Sequence, residues 1–379
     1  MLPPALARAS HRASTGRTFA HFFKRNLSKG ACSLLLLGCL ETAETRGRQV
    51  EVEADDGLTM CAGTLEHMDR FVERFAEEIG LPLTDEPWIE FRWMTPEHYA
   101  RRNPCGGMPA CAVVRTVYAS EMPHEHELVH SAASDLGLAH PFFIEGLAMA
   151  FEGGTRDAEP TDDEPEADGE IEPAPRVLAA LRDRSLWLPG EYYFLAGAFT
   201  RYLIDRFGLR LHLEFYRRTW YADPYRALAR EFRAVFGATL EEVVGDFEAE
   251  RADCHYSAYR FKLLECEAPE VAWDGDRLAR NFSLDCDDAA AIGAAGVSVR
   301  TVHALEVAEA GRFRLELRDD AAVQVTIGSC GGCERPALAR LYAGEVQELE
   351  LPAGRYFMRA ETDASEPVTF GVVMERIGE

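Results

Sequence analysis

HEHELVHSAASDLGLAHPFFIEGLA, residues 124–148, predicts a helix with one chemically distinct face. His126 and His130 are four residues apart, so on a helix their side chains lie on the same side, one turn apart. Two imidazoles in this position can bind one zinc ion. Glu127 lies at the edge of the same face, where its carboxylate can act as a general base. The spacing therefore predicts a metal-binding helix.

The second half of this stretch supplies a buried carboxylate. Within residues 142–151 every residue is apolar or glycine except Glu145. A helix that is apolar on all sides is buried, and a buried carboxylate is costly unless it is paired or bound to a cation. We therefore expect Glu145 to bind the same metal ion as His126 and His130. Gly146 would allow a second helix to approach closely.

These residues resemble the active site of the gluzincin metallopeptidases, in which two histidines and a downstream glutamate bind zinc. The resemblance covers roughly residues 88–250 and includes YFLAGAF at 193–199, which is similar to a helix of the bacterial peptidase MA-like family. It implies a zincin-like catalytic domain with one catalytic Zn²⁺ bound by His126, His130 and Glu145. The interval between the second histidine and this glutamate is shorter than in the thermolysin type, so that type's substrate cleft is not implied.

The resemblance also implies a reaction. It implies a hydrolase that cleaves peptide bonds with a zinc-activated water molecule that Glu127 deprotonates. Tyr193, which begins the YFLAGAF phrase, is the candidate hydrogen-bond donor to the oxyanion. Tyr192 and Tyr118 are weaker candidates, and packing alone explains each of the three tyrosines equally well.

Two further histidines flank the metal-binding residues. His124 is two positions before the first candidate ligand, about 200° round the helix, so we expect it at the surface or at the helix start, pointing away from the metal. His140 precedes the proline of the second helix and is a candidate outer partner of the site.

Two other classes of function remain open. One is a non-catalytic envelope lipoprotein in which a peptidase-like fold acts as a binding or scaffold module, and the other is a purely structural metal site. The presence of Glu127 favours the enzyme, because a structural zinc needs no general base. Two histidines and one carboxylate also leave an open coordination position, which structural sites usually fill.

The first 38 residues predict a lipoprotein signal peptide. Basic residues at 24–29 precede a short apolar run at 31–37, which is too short to span a bilayer. The run leads into LLGC at 36–39, which resembles the lipobox of bacterial lipoproteins and implies cleavage before Cys39 and lipid attachment to its sulfur. We therefore expect an exported protein of the bacterial cell envelope, in the periplasm or at the cell surface. A buried N-terminal helix is the alternative.

The net charge argues against one class of partner, and the cysteine content supports export. The formal net charge of -24 argues against nucleic acid as a partner, because phosphate binding requires clustered lysine and arginine. The expected partner is a polypeptide substrate, and the membrane is contacted only through the anchor at Cys39. The cysteines that would remain are even in number and predict disulfides: Cys61, Cys105, Cys111, Cys254, Cys266, Cys286, Cys330 and Cys333.

Two of these cysteine pairs are close in sequence. CGGMPAC at 105–111 and CGGC at 330–333 could each close a local loop. Eight cysteines allow about 105 pairings, however, and the sequence alone does not choose among them. A structural zinc at CGGC would need two further ligands at matching spacing.

The hydrophobic pattern predicts an α+β chain with a small sheet and a mostly helical half that carries the metal-binding helix, followed by an all-β sandwich. We expect residues 39–58 to form a tether and entry strand, 59–255 the domain that the resemblance implies to be a zincin-like metallopeptidase, and 256–379 the sandwich. The C-terminal part weakly resembles the β-sandwich domains that follow the catalytic domain of secreted bacterial peptidases.

Individual elements follow from local pattern. Strands are predicted at 88–95 and 112–120, and the second is expected to be an edge strand that pairs with an extended peptide. The acidic, proline-rich segment 155–175 is expected to be a mobile loop. Apolar stripes predict helices that begin near Leu65 and span 191–208, 211–220, 223–237 and 239–251.

Overall fold

The N-terminal part of the chain is built on a mixed five-stranded sheet. The computed structural model describes residues 42–106, 108, 110–152, 173–183, 185, 187–251, 262–318, 322–331, 339–363 and 366–378. The strands of this sheet are β1 Thr42–Arg46, β2 Val50–Asp55, β3 Ile89–Trp93, β4 Ala110–Val113 and β5 Thr116–Ala119. They lie in the order β1-β2-β3-β5-β4. The two pairings of β3 are parallel and the outer pairings are antiparallel, which leaves β4 at an edge.

One face of this sheet is buried, because buried and partly buried residues alternate along its strands. In β3, Ile89, Phe91 and Trp93 are almost fully buried, while the residues between them are only partly buried. Phe75 of the first helix belongs to the same hydrophobic core. The sheet therefore provides the apolar surface against which the helices pack.

Most of the remaining N-terminal part is helical. The helices are α1 Thr64–Ile79, α2 Pro96–Arg102, α3 Glu125–Ala132, α4 Pro141–Phe151, α5 Pro173–Arg182, α6 Tyr193–Phe207, α7 Leu209–Arg218, α8 Tyr225–Phe236 and α9 Leu240–Arg251. The five helices expected from apolar stripes all begin and end within two residues of their predicted limits where limits are predicted. Gly237 ends α8 with φ +76°, in the left-handed region that glycine adopts without strain.

Two glycines allow α4 and α6 to cross closely. A Cβ atom on Gly146 would lie 2.8 Å from the backbone oxygen of Ala196, and one on Gly197 would lie 2.6 Å from Cβ of Met149. Each glycine therefore makes room for the other helix. The helix that Gly146 admits is α6, which begins at Tyr193 and so carries that tyrosine to α4.

The C-terminal part is rich in β-structure. Its strands are β6 Arg277–Leu284, β7 Ile292–Ala294, β8 Ser298–Val307, β9 Gly311–Arg318, β10 Gln324–Ser329, β11 Ala339–Tyr342, β12 Val346–Leu351, β13 Gly354–Thr362 and β14 Val368–Arg376. They form two sheets, ordered β11-β10-β13-β8-β7 and β12-β9-β14-β6, with antiparallel pairing in both. Buried residues of both sheets share one hydrophobic cluster. The expectation of an α+β chain with a β-rich C-terminal part is confirmed.

Disulfide formation is confirmed, and the structure selects among the pairings that the sequence left open. The described residues contain bonds between Cys61 and Cys286, Cys105 and Cys111, and Cys266 and Cys330. The CGGMPAC segment closes its local loop as expected. The CGGC segment closes no local loop through Cys330, because this residue, directly after β10, bonds instead to Cys266, 64 positions earlier. Cys254 and Cys333 lie outside the described residues.

Two other local expectations need correction. The predicted strand 112–120 is a hairpin: β4 and β5 are joined by a tight turn at Val114 and Arg115, so the strand before α3 is internal and β4 is at the edge. The predicted acidic loop 155–175 extends too far, because α5 already begins at Pro173. The rest of that segment lies outside the described residues.

Several sequence-based expectations fall on parts of the chain that the structure does not describe. They include the signal peptide, Cys39 and the predicted boundary at residue 255. Residues 41–379 group into one compact unit. Among the described residues, no helix is both long enough and apolar enough to cross a membrane.

Candidate metal centre

The α3 helix presents two different faces. Leu128 and Val129 are at most 1% exposed and belong to the main hydrophobic core. His126 and His130 lie on the other face, one turn apart. The core contacts therefore fix the direction in which the two imidazoles point.

Three potential ligand atoms meet at one point. Nε2 of His126 and Nε2 of His130 are 3.0 Å apart, and Oε2 of Glu145 lies 3.1 Å from the first and 3.2 Å from the second. Ligands about 2.0–2.1 Å from a tetrahedral zinc ion are separated by roughly 3.3 Å. The residue types and the spacing therefore fit a zinc ion bound by three protein ligands. The structure brings together the three residues that the sequence singled out.

A fourth residue, Glu152, orients the first imidazole. It lies at the end of α4, is 4% exposed, and its Oε2 is 2.8 Å from Nδ1 of His126. A carboxylate in this position accepts the Nδ1–H hydrogen bond, which leaves the Nε2 lone pair directed at the other two ligand atoms. Glu152 thus selects the tautomer that can bind a metal.

The electrostatics of the site favour positive charge. Burial disfavours a charged imidazole, but hydrogen bonds to Glu145 and Glu152 outweigh it and raise the pKa of His126 to about 10. Burial also disfavours the charged carboxylate, but the neighbouring imidazoles of His130 and His126 hold the pKa of Glu145 below its usual range. A divalent cation at the meeting point would be stabilised by the same two carboxylates.

Glu127 lies beside this cluster. It is 7% exposed and, among the described residues, makes no hydrogen bond or ion pair. Burial and the negative charge of Glu127 together raise the pKa of Tyr99 to about 12. The Tyr99 hydroxyl donates a 2.8 Å hydrogen bond to the backbone oxygen of Met108, so that phenol is already engaged.

The structure places Tyr193 next to the same cluster. Its ring stacks on that of His126, with centroids 5.8 Å apart and an interplanar angle of 6°. Burial, together with the charges of Glu145 and Glu127, raises the pKa of Tyr193 above its ordinary value. Its hydroxyl therefore stays protonated at neutral pH and can donate a hydrogen bond.

The two weaker tyrosine candidates have other surroundings. Tyr118 lies beneath the guanidinium of Arg92, whose central carbon is 5.7 Å from the ring centroid. Tyr192, in the short turn before α6, packs partly buried against the main hydrophobic core.

The two flanking histidines belong to helix starts. His124 is the residue before α3 and is only 4% exposed, so the helix-start expectation holds and the surface expectation is wrong. His140 precedes α4, and its Nδ1 accepts a 3.3 Å hydrogen bond from the backbone N–H of Phe142. It therefore caps the helix that carries Glu145.

A second buried cluster surrounds Glu125, the residue before the first ligand. Its Oε1 is 2.9 Å from Nε2 of His67 on α1 and also accepts a hydrogen bond from Arg300 on β8. Although burial opposes it, these two partners hold the pKa of Glu125 below its usual range. The first turn of α3 is therefore joined to both α1 and the β-rich region.

A cavity of about 300 Å³ lies between the start of α3 and the β-rich region. His126 and Glu152 line it from one side, and Arg300 and Glu361 from the other. The outer partner of the first imidazole therefore borders a space that both parts of the chain enclose.

Sequence reasoning missed several residues of the site. Glu152 is seven positions after Glu145, which is two turns of the same helix, so the sequence does carry a signal for it. Tyr216 of α7 is buried, and burial together with the charge of Glu145 raises its pKa. His67 and Arg300 are 58 and 175 positions from Glu125, and no local sequence pattern predicts that they are its partners.

Comparisons with known proteins assign no family to the chain. No family model and no curated protein matches it. Among solved structures, the pre-peptidase C-terminal domain of a Bacillus anthracis collagenase is 12% identical and covers 28% of this chain and 94% of its own, with a TM-score of 0.22. A periplasmic inhibitor of g-type lysozyme from Salmonella Typhimurium is 10% identical over 28% of this chain and 94% of its own, with a TM-score of 0.19.

A third solved structure covers more of the chain. Aminopeptidase A of Legionella pneumophila is 9% identical over 88% of this chain and 37% of its own, with a TM-score of 0.34. Similarities of this size carry no argument about function.

Proposed function

We propose that this protein is a zinc-dependent metallopeptidase of the gluzincin type. The observation that carries the proposal is the meeting of His126, His130 and Glu145 at separations of 3.0–3.2 Å, with Glu127 alongside. Three protein ligands leave one zinc position open, which is the arrangement of catalytic rather than structural sites.

The residues of the chain have distinct roles in this proposal. A bound zinc ion would act as a Lewis acid and increase the acidity of water. Glu127, which has no competing partner among the described residues, takes a proton from the attacking water and delivers it to the leaving amine. Tyr193 donates its hydroxyl hydrogen bond to the oxyanion of the tetrahedral intermediate. Glu152 holds His126 in the required tautomer throughout.

A polypeptide substrate is favoured by the edge of the N-terminal sheet. Among the described strands, β4 pairs only with β5, so its outer side presents main-chain donors and acceptors. An extended peptide that adds to this edge would gain backbone hydrogen bonds next to α3. The disulfide between Cys105 and Cys111 anchors the beginning of β4.

The proposed location is the bacterial cell envelope, with a lipid anchor at Cys39. Three disulfides among the described residues are consistent with an oxidising compartment.

Substitution of the general base tests the proposal. Zinc content by elemental analysis and hydrolysis of a quenched fluorescent peptide library would be measured for wild type and Glu127→Gln. We expect near-stoichiometric zinc in both and a loss of turnover of about 10²–10⁴-fold in the variant. Glu97→Gln, at an exposed position of α2, is the matched control and should behave as wild type.

Two results would contradict the proposal. Turnover that survives Glu127→Gln would remove the catalytic role of this carboxylate. Zinc binding without turnover of any peptide by the wild type would instead favour a binding or scaffold lipoprotein.

A further inference from the structure

The cluster around Glu125 has no part in the proposed reaction, yet it is as well buried as the metal-binding residues. The side chain of Glu125 is 4% exposed, that of Arg300 9% and that of His67 11%. Each of the three comes from a different element: α3, β8 and α1. Buried charges are retained only when they are paired, so all three elements must stay in register for the cluster to persist.

Both partners of Glu125 are fixed independently of α3. The beginning of α1 is joined to the β-rich region by the disulfide between Cys61 and Cys286. The hydroxyl of Thr64 then makes two hydrogen bonds with Gly293. It donates to the Gly293 carbonyl oxygen at 2.9 Å and accepts from the Gly293 backbone N–H at 2.8 Å. Gly293 lies on β7, which pairs with β8 so that Ile292 is opposite Arg300. His67 and Arg300 are therefore linked through this junction, and Glu125 attaches α3 to it.

This attachment lies directly beside the metal centre. Glu125 and His126 are consecutive residues in the first turn of α3, so a shift of one moves the other. The ligand atoms are only 3.0–3.2 Å apart, and a small rotation of this turn would move Nε2 of His126 away from the other two. Arg300 is suited to hold such a position because its guanidinium is planar and permanently charged.

We infer that Arg300 is a positioning residue for the metal centre, acting through Glu125 on His126, so that the β-rich region completes the site and is not a separable module. The inference rests on the proposed metal centre but not on the proposed reaction. Substitutions of outer partners typically weaken metal affinity by about 10–100-fold, and we expect that range for Arg300→Ala.

A double-mutant cycle in the full chain tests the inference. Zn²⁺ dissociation constants would be measured by competition with a chromophoric chelator for wild type, Arg300→Ala, Glu125→Gln and the double variant. If Arg300 acts through Glu125, Arg300→Ala should weaken binding about 10–100-fold alone but have little further effect once Glu125 is replaced. Arg300→Lys should restore part of the affinity.

The matched control is Arg359→Ala. Arg359 lies on β13 in the same sheet, its side chain is 4% exposed, and it pairs with Glu361 at 3.8 Å. Equal loss of zinc affinity in this control would show general loosening of the sheet and would overturn the inference. Wild-type affinity in Arg300→Ala, or an equal loss in the Glu125→Gln background, would also overturn it. If Arg300→Ala does not fold, Arg300→Gln takes its place in the cycle.

These outcomes are distinct from those that test the reaction. A wild-type protein that binds zinc but hydrolyses nothing refutes the peptidase proposal and leaves the role of Arg300 intact. A wild-type protein that binds no zinc refutes both.

Discussion

Two buried glutamates on adjoining parts of this molecule are each held between two basic side chains. Glu145 lies between His126 and His130, while Glu125 lies between His67 and Arg300. Both carboxylates have a pKa below the usual range for the same reason, because neighbouring positive charge outweighs burial. We call these groups the ligand cluster and the support cluster.

The two clusters differ in what their basic partners can do. An imidazole can release its proton and give the nitrogen lone pair to a metal, whereas a guanidinium keeps its charge and has no acceptor. Arg300 has no lone pair to give, so the support cluster offers a single imidazole, that of His67. The ligand cluster offers two imidazoles and a carboxylate, which together can exchange protons for a cation. A pair of histidines four residues apart is informative because of this exchange.

Removing the carboxylate of the ligand cluster should have the largest effect. Glu145→Ala takes away one of three ligands. It also removes the negative charge that would compensate a cation bound between the two imidazoles. We expect near-stoichiometric zinc in the wild type and a loss greater than the roughly 10–100-fold caused by losing an outer partner. Elemental analysis of the purified chain measures this, with Glu191→Ala, an exposed glutamate before α6, as control. Full zinc retention in Glu145→Ala would exclude this glutamate as a ligand.

Tyr193→Phe should separate chemistry from metal binding. The variant keeps the ring that stacks on His126 but loses the hydroxyl, so zinc content should be unchanged. If the hydroxyl donates to the oxyanion, kcat should fall by about 10²–10³-fold with little change in KM. Steady-state kinetics on a cleaved peptide measures both. An unchanged kcat would leave this tyrosine with a packing role only.

Removing the orienting carboxylate should have a smaller effect. Glu152→Gln keeps the shape of the side chain but removes the charge that favours the Nδ1–H tautomer of His126. We expect zinc affinity to fall by about 10–100-fold, as for other outer partners of metal-bound histidines. Chelator competition measures the change. Affinity equal to wild type would show that the tautomer is set without this residue.

The ligand cluster was predictable from sequence because its members are local. His126, His130 and Glu145 span 20 residues on two consecutive helices, and helical spacing alone brings the first two together. The support cluster was not predictable, because its members come from elements far apart in sequence. A buried arginine on a strand has no periodicity that identifies its partner.

Local structure was misjudged where the usual turn residues are absent. The hairpin of β4 and β5 turns at Val114 and Arg115, and Val114 has φ +58°, a left-handed conformation that is rare for a β-branched residue. Without Gly, Asn or Pro at the turn, the segment reads as one continuous strand. The edge strand is therefore β4, Ala110–Val113, which begins two residues before the predicted start at 112.

The smallest expected effect concerns a contact that is steric and carries no charge. A Cβ atom on Gly197 would lie 2.6 Å from Cβ of Met149 and 3.2 Å from its backbone carbon, so α4 and α6 would have to separate. Gly197→Ala should lower the free energy of unfolding by about 1–3 kcal/mol, as overpacked cores do. Urea denaturation measures this.

Gly245→Ala is the matched control, because Gly245 is also helical but a Cβ atom there would meet nothing within 4 Å. Since alanine favours a helix over glycine by about 1 kcal/mol, the control should be slightly stabilised. Stabilisation of both variants would show that the two helices adjust without cost and that their close approach does not position Tyr193.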